Sequence, residues 1–331
     1  MRGRHGLTCT AVHCYHCGNF LRGILYSRKD QYHHRSSKMA FSFHSLAVRL
    51  RPWGIVLAGF LGIYGFVLLM GRLIHDPLDR AILLACNPDH YVPVIDELMI
   101  LITDYSVFTF SVLLISWEVA YLICRGRPRL RWWVNRLLQV LGVGFGLYHG
   151  SGVFWAKYEY TIIFLPLGVI FLAGYWFLGW TFVHWDEQAL RRGGLVFRLT
   201  LLSVFLTNAI AEDSIKKIVG RPRPLASVNE DWNEPIRRIP DEIVRGGYSY
   251  VSGHASSLFA LTTPMALATG NPWLRGAIFG WAAVHAYTRV YTAAHYPYCS
   301  LMGSVLGFAI GALVFTAFWE KRAAPDKNAQ N

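Results

Sequence analysis

The chain has 331 residues, of which 53% are hydrophobic and only 16% charged, well under the charged fraction of about 25% usual in a soluble domain. That composition excludes an ordinary water-soluble globule and points to a multi-span membrane protein. The net charge of +12 does not make it a nucleic-acid binder, because the basic residues sit in short segments between apolar runs instead of along one stripe of a soluble fold.

Residues 1–38 differ from the rest of the chain, being rich in Arg, His and Cys with a single acid, Asp30. They contain no apolar stretch leading to a small-residue cleavage site, so they do not read as a secretory signal. Cys9, Cys14 and Cys17 interleave with His13 and His16, yet no second half of a paired zinc ligand set comes after them at finger spacing. The stretch reads as a disordered tail, or as sequence upstream of a working start at Met39. Cys86, Cys124 and Cys299 are scattered and read as small apolar residues at or near membrane spans.

From Trp53 onward, apolar runs cover 53–74, 98–123, 134–154, 160–182, 196–215, 254–271, 274–291 and 298–318, each near the ~20 residues a helix needs to cross a bilayer. The expected fold is all-α, a polytopic membrane helix bundle of six to eight spans, the number between 125 and 195 being the open one. Between the first two runs, Asp76-Pro77-Leu78-Asp79 opens an apolar patch that ends at Asn87-Pro88, too short to span and suited to the interface. The expected organisation is a set of N-terminal membrane helices over 39–195, a core over 196–318 and a cytoplasmic tail over 319–331.

Charge assigns the sides, because cytoplasmic loops collect Lys and Arg. With eight spans, Arg49 and Arg51, the run from Arg125 to Arg131, Arg191 and Arg192, Arg275, and Lys321 with Arg322 all fall on one face, and both termini are cytoplasmic. The loop 216–253 breaks the pattern, carrying Lys216, Lys217, Arg221, Arg223, Arg237, Arg238 and Arg245 on the opposite face. Cations gathered on that side need an anion. Gly142, Gly146 and Gly150, and again Gly303, Gly307 and Gly311, repeat at every fourth residue and read as faces for close helix packing.

Three segments carry matching chemistry: Lys216 to Pro224, read as Lys-Lys-Ile-Val-Gly-Arg-Pro-Arg-Pro; Ser252-Gly253-His254; and Arg289 with His295 six residues on. The span topology delivers all three to one membrane face. Lysine and the forked guanidinium of arginine neutralise phosphoryl oxygens as charge shifts in a transition state. Ser252 stands as the N-cap of the sixth span, so the backbone N–H groups of Gly253 and His254 meet an anion at the positive end of that helix. An unperturbed imidazole pKa of about 6.5 suits proton transfer near neutrality. His75, His90, His149, His184 and His285 lie outside these segments and read as structural. Lys217, Arg221, Arg237, Arg238 and Arg245 read as headgroup contacts or solvated charges. Tyr248, Tyr250, Tyr291 and Tyr296 read as interface anchors or as the lining of a lipid entrance.

The three segments resemble the motifs of the type 2 phosphatidic acid phosphatases, membrane relatives of bacterial acid phosphatases and vanadium haloperoxidases. Lys216 with Arg223-Pro224 matches the first motif, Ser252-Gly253-His254 the second, and Arg289 with His295 the third, over roughly residues 196–318. Val251 replaces a usual Pro, Thr288 a usual Ser, and Cys299 the Asp that in the family helps orient the nucleophilic histidine. Glu212 and Asp213 are carboxylates that either take its place or pair with Lys216 or Lys217. The resemblance implies a lipid phosphate or diphosphate phosphatase in the cell (inner) membrane, acting at the extracytoplasmic face without metal or other cofactor. It implies His295 as the nucleophile that forms a phosphohistidine and His254 as the acid that protonates the leaving group. Lys216, Arg223, Ser252, Gly253 and Arg289 would bind phosphate. The expected partners are the bilayer and a lipid substrate, with no nucleic acid. Phosphotransfer to a second lipid, or a non-catalytic lipid-binding or transport role on the same fold, remains open.

Overall fold

The structure, a computed structural model, describes residues 43–151, 164–226, 236–237 and 247–323. Residues 1–38 and the cysteine-rich motif within them lie outside the described residues. The helices in chain order are α1 (Phe43–Gly71), α2 (Asp76–Cys86), α3 (Ile95–Cys124), α4 (Leu130–Gly150), α5 (Phe164–His184), α6 (Glu187–Phe205), α7 (Asp213–Val219), α8 (Gly253–Ala268), α9 (Pro272–Tyr291) and α10 (Pro297–Ala323). A π-helical segment, Leu206–Glu212, joins α6 to α7. By contact the chain divides into two compact units, 1–52 and 53–331. Of the first, only the opening turns of α1 from Phe43 to Pro52 are described; the second holds all the other elements.

Local chemistry sets the helix ends. The Nδ1 of His75 accepts from the N–H of Leu78 at 3.3 Å, and Pro77 sits in the first turn of α2, where its missing donor costs nothing. Asp186 caps α6 by accepting from the N–H of Ala189 at 2.7 Å. Asn271 caps α9, its Oδ1 accepting from the N–H groups of Trp273 and Leu274. At the end of α7, Gly220 adopts a φ of 68°, a conformation glycine enters without a Cβ penalty, and the prolines at 222 and 224 keep the helix from resuming.

Helices occupy all eight expected positions. Among the described residues, five stretches, Leu50–Gly71, Ile95–Cys124, Leu165–His184, Glu187–Val219 and Pro297–Trp319, are long and apolar enough to cross a bilayer. The chain is a multi-pass membrane protein. Helix α8 has 16 residues, about 24 Å at 1.5 Å per residue, short of the ~30 Å hydrocarbon core. It nevertheless lies deep inside the bundle, wrapped by α6, α9 and α10, so its faces meet protein instead of lipid.

Small residues permit that wrapping. A Cβ on Gly307 would lie 2.1 Å from the carbonyl oxygen of Ser256, and one on Gly303 would lie 2.5 Å from that of Ser252, so α10 runs against the backbone of α8. The second glycine series acts the same way between α4 and α5, where a Cβ on Gly146 would lie 3.1 Å from the carbonyl of Gly168. Both series are packing faces. The α1 segment from Trp53 onward joins the core around α10 through Val56, Phe60 and Val67.

Candidate active site

The first segment reaches the site through the π-helical stretch, which ends at Glu212, four residues before Lys216 on α7. The two form an ion pair. After Gly220 turns the chain, Pro222 pairs with Tyr248 in an isolated bridge, and the N–H of Ser249 donates to the carbonyl of Arg221 at 2.7 Å. The second segment comes directly after, with Ser252 starting α8 and its N–H donating to the carbonyl of Cys299 at 3.0 Å. The third runs from the end of α9 into α10, the N–H of His295 donating to the carbonyl of Arg289 at 3.0 Å.

These segments meet at one cavity of about 310 Å³, lined by Val107, Glu212, Lys216, Arg223, Gly253, His254, Ser257 and His295. Lys216, Arg223, Gly253, His254 and His295 therefore stand together where the sequence placed them. Ser252 and Arg289 are buried beside its wall. The Ser252 side chain makes no capping bond, and its buried hydroxyl has no hydrogen-bond partner among the described residues. Arg289 is 1% exposed, and its NH1 donates to the hydroxyl of Thr103 at 3.0 Å. Thr103 in turn shares a 2.6 Å bond with Thr288, so the hydroxyl kept at position 288 has a defined partner. Among the described residues, no group of three His, Cys, Asp or Glu side chains could hold a metal ion.

The environment of His295 fixes its chemistry. Its Nδ1 lies 2.8 Å from the carbonyl oxygen of Ser249 and, farther off, 3.3 Å from the hydroxyl of the same residue. A carbonyl only accepts, so Nδ1 carries the proton and Nε2 keeps its lone pair. Burial pushes the pKa of His295 well below the ordinary histidine value, and the positive charges of Arg223, Arg289 and Lys216 push the same way, against the opposing pull of the Ser249 carbonyl. Behind His254, His285 stacks at 6.0 Å between ring centroids and hydrogen-bonds through Nδ1 to the carbonyl of Ile102 at 2.9 Å.

Several surroundings differ from expectation. Arg221 is buried, not solvated, and pairs with Asp76 and Asp79, each at 2.6 Å. Arg237 likewise forks onto Asp96 at 2.8 and 2.9 Å and donates to the carbonyl of Pro88. Lys217 is exposed as expected, while Arg238 and Arg245 lie outside the described residues. Among the tyrosines named from the sequence, only Tyr248 is exposed. The hydroxyl of Tyr250 donates to the carbonyl of Val67 at 2.6 Å, that of Tyr291 donates to Asp96 at 2.6 Å, and the Tyr296 ring lies 3.8 Å beneath Arg221. They hold the site's scaffold and neither anchor it at the interface nor line an entrance. Of the two carboxylates suggested to replace the absent Asp, Glu212 pairs with Lys216 and Asp213 is exposed. Neither is hydrogen-bonded to His295.

Residues 196–323 match the family model of the PAP2 superfamily. They form a PAP2 superfamily domain. A lipid A 4'-phosphatase of Bacteroides thetaiotaomicron is 28% identical over 106 residues, 32% of this chain and 46% of that protein, so the similarity spans less than half of the relative's length. No solved structure gives a significant match. The PAP2 region contains every candidate site residue read from the sequence. Val107, Thr103, Asp96, Asp79 and Asp76, which line or brace the site, lie outside it on α2 and α3.

Proposed function

We propose that the protein is a membrane-embedded lipid phosphate or diphosphate phosphatase working through a phosphohistidine at the extracytoplasmic face. The observation that carries this reading is the convergence of His254, His295, Lys216 and Arg223 on one cavity, with the Nδ1 of His295 engaged by a carbonyl. Nε2 of His295 attacks phosphorus, and the P–O bond to the lipid alkoxide breaks as protonated His254 gives that oxygen its proton. Lys216, Arg223, Arg289 and the N–H groups at the start of α8 take up the charge on the equatorial oxygens. Water then attacks phosphorus while neutral His254 accepts its proton; the P–N bond breaks, inorganic phosphate leaves, and both histidines return to their starting states.

The side assignment rests on charge. The cavity takes Val107 from the first half of α3, whereas the arginine-rich loop follows the far end of that helix, on the side that the positive-inside tendency assigns to the cytoplasm. A site formed where span ends meet would face lipid headgroups. Phosphatidate, phosphatidylglycerol phosphate, polyprenyl diphosphates and phosphorylated saccharide lipids all offer the required group, and the name of the Bacteroides relative favours the last. The test is phosphate release by purified protein from that panel, with chelator present and with His295→Ala and His254→Ala as controls. The expected result is activity on at least one lipid, lost in His295→Ala and lowered by about 10²- to 10⁴-fold in His254→Ala. Undiminished turnover in His295→Ala would refute the mechanism.

A further inference from the structure

The imidazole used in the proposed chemistry is oriented by a backbone carbonyl, and among the described residues no carboxylate is hydrogen-bonded to it. That carbonyl belongs to Ser249, in a segment whose only ladder pairing among the described residues is the single bridge between Pro222 and Tyr248. Its position therefore depends on Arg221, whose carbonyl accepts from the N–H of Ser249 at 2.7 Å. Arg221 is gripped in its turn. Its NH1 lies 2.6 Å from Oδ2 of Asp79 and 3.3 Å from Sγ of Cys299, and its guanidinium packs 3.8 Å over the ring of Tyr296, the residue after His295. The other oxygen of Asp79 accepts from the N–H of Tyr298 at 2.8 Å. One carboxylate, 5% exposed, thus ties together the segment that orients His295 and the start of α10 just beyond it.

We infer that Asp79, acting through Arg221, is the positioning carboxylate of His295. It fixes the Ser249 carbonyl, and with it the Nδ1–H tautomer that leaves Nε2 ready to attack. The inference rests on reading His295 as the nucleophile. The exposed Asp76, the second partner of Arg221, does not hold α10 and is not assigned this role. The contact between NH1 and Cys299 adds a consequence: a carboxylate placed at position 299 would stand against the same guanidinium nitrogen.

The test compares wild type, Asp79→Asn, Cys299→Asp with Asp79→Asn, and His295→Ala, each full length in detergent. Phosphatidate and a phosphorylated saccharide lipid serve as probes. Asp79→Asn keeps the acceptor for Tyr298 but removes the charge. The expected result is a kcat lowered by about 10- to 100-fold with KM little changed, as when partners orienting a functional histidine are lost, and recovery of kcat in the double variant. In parallel, ¹⁵N NMR of the His295 ring, assigned by its absence in His295→Ala, should show Nδ1–H in wild type, mixed tautomers in Asp79→Asn, and Nδ1–H again in the double variant. Wild-type kcat and tautomer in Asp79→Asn, or a double variant that recovers neither, would overturn the inference. If Asp79→Asn is not recovered folded, the double variant decides alone, its wild-type tautomer supporting the inference and a mixed one overturning it. Activity retained in His295→Ala alongside the expected tautomer series would instead sink the proposed function and leave the positioning network standing.

Discussion

Gly307→Ala gives the sharpest test of how the fold builds the site. The added Cβ would lie 2.1 Å from the carbonyl oxygen of Ser256 and 2.8 Å from the N of Ala260. Both atoms are backbone, so no side chain can swing aside. Restoring an ordinary contact of at least 3.4 Å requires α8 and α10 to separate by a little more than 1 Å, and overpacking of this kind costs about 1–3 kcal/mol. The activity loss should exceed what that destabilisation implies. Helix α8 carries Gly253 and His254 at its start, and α10 begins two residues after His295. Parting them displaces the proposed acid from the proposed nucleophile, and a misplacement of about 1 Å can cost around 10²-fold in rate. The assay is phosphate release at saturating lipid alongside thermal unfolding in the same detergent. Gly62→Ala is the control, because a Cβ there meets nothing within 4 Å. A Gly307→Ala enzyme that turns over like Gly62→Ala would refute the claim that glycine contact between α8 and α10 sets the catalytic geometry.

Individual contacts carry further expectations. Asp96→Ala strips the buried partner from Arg237 and should destabilise the protein by about 3–5 kcal/mol, as when one member of a buried ion pair is removed; denaturant titration that finds no loss would contradict it. Thr103→Val preserves shape but removes the acceptor for Arg289, leaving a buried donor at a cost of about 1–3 kcal/mol, so kcat/KM should fall while the helix content seen by circular dichroism stays the same. The depressed pKa of His295 means that the folded protein keeps this ring neutral where the unfolded chain takes up a proton. Stability should therefore be fully present above the unfolded value of about 6.5 and decline as pH falls below it, less steeply in His295→Ala. The neutral ring should also persist in the NMR spectrum below pH 6.5, and an imidazolium signal for His295 at pH 6.5 would exclude the assigned environment.

The site was legible because its residues violate the rules of their surroundings. Lys216, Arg223 and Arg289 are cations at span ends on the face that topology leaves poor in positive charge, and His254 and His295 sit at helix starts on that same face. Their alignment needed only the count of spans. The bracing was not legible, because Asp79 meets Arg221 across 142 positions and Asp96 meets Arg237 across 141. Local pattern has no access to such pairs, so Arg221 and Arg237 looked like surface charges. Thr103 and Val107 were hidden differently: on a long apolar helix, nothing in the residue type says which side faces a cavity. Helix α8 showed a third gap, since hydropathy reports a stretch of the right character without revealing that protein surrounds it on its sides.

The carboxylates of α2 and α3 bear on how such a chain could be recombined. A chimera built by splicing residues 196–323 onto the amino-terminal half of a relative would keep every motif residue and still inherit a foreign Asp79, Asp96 and Thr103, or none at all. Any workable exchange has to carry the stretch from the end of α1 through the first turns of α3 along with residues 196–323, as one transplantable piece interrupted in sequence but continuous in space.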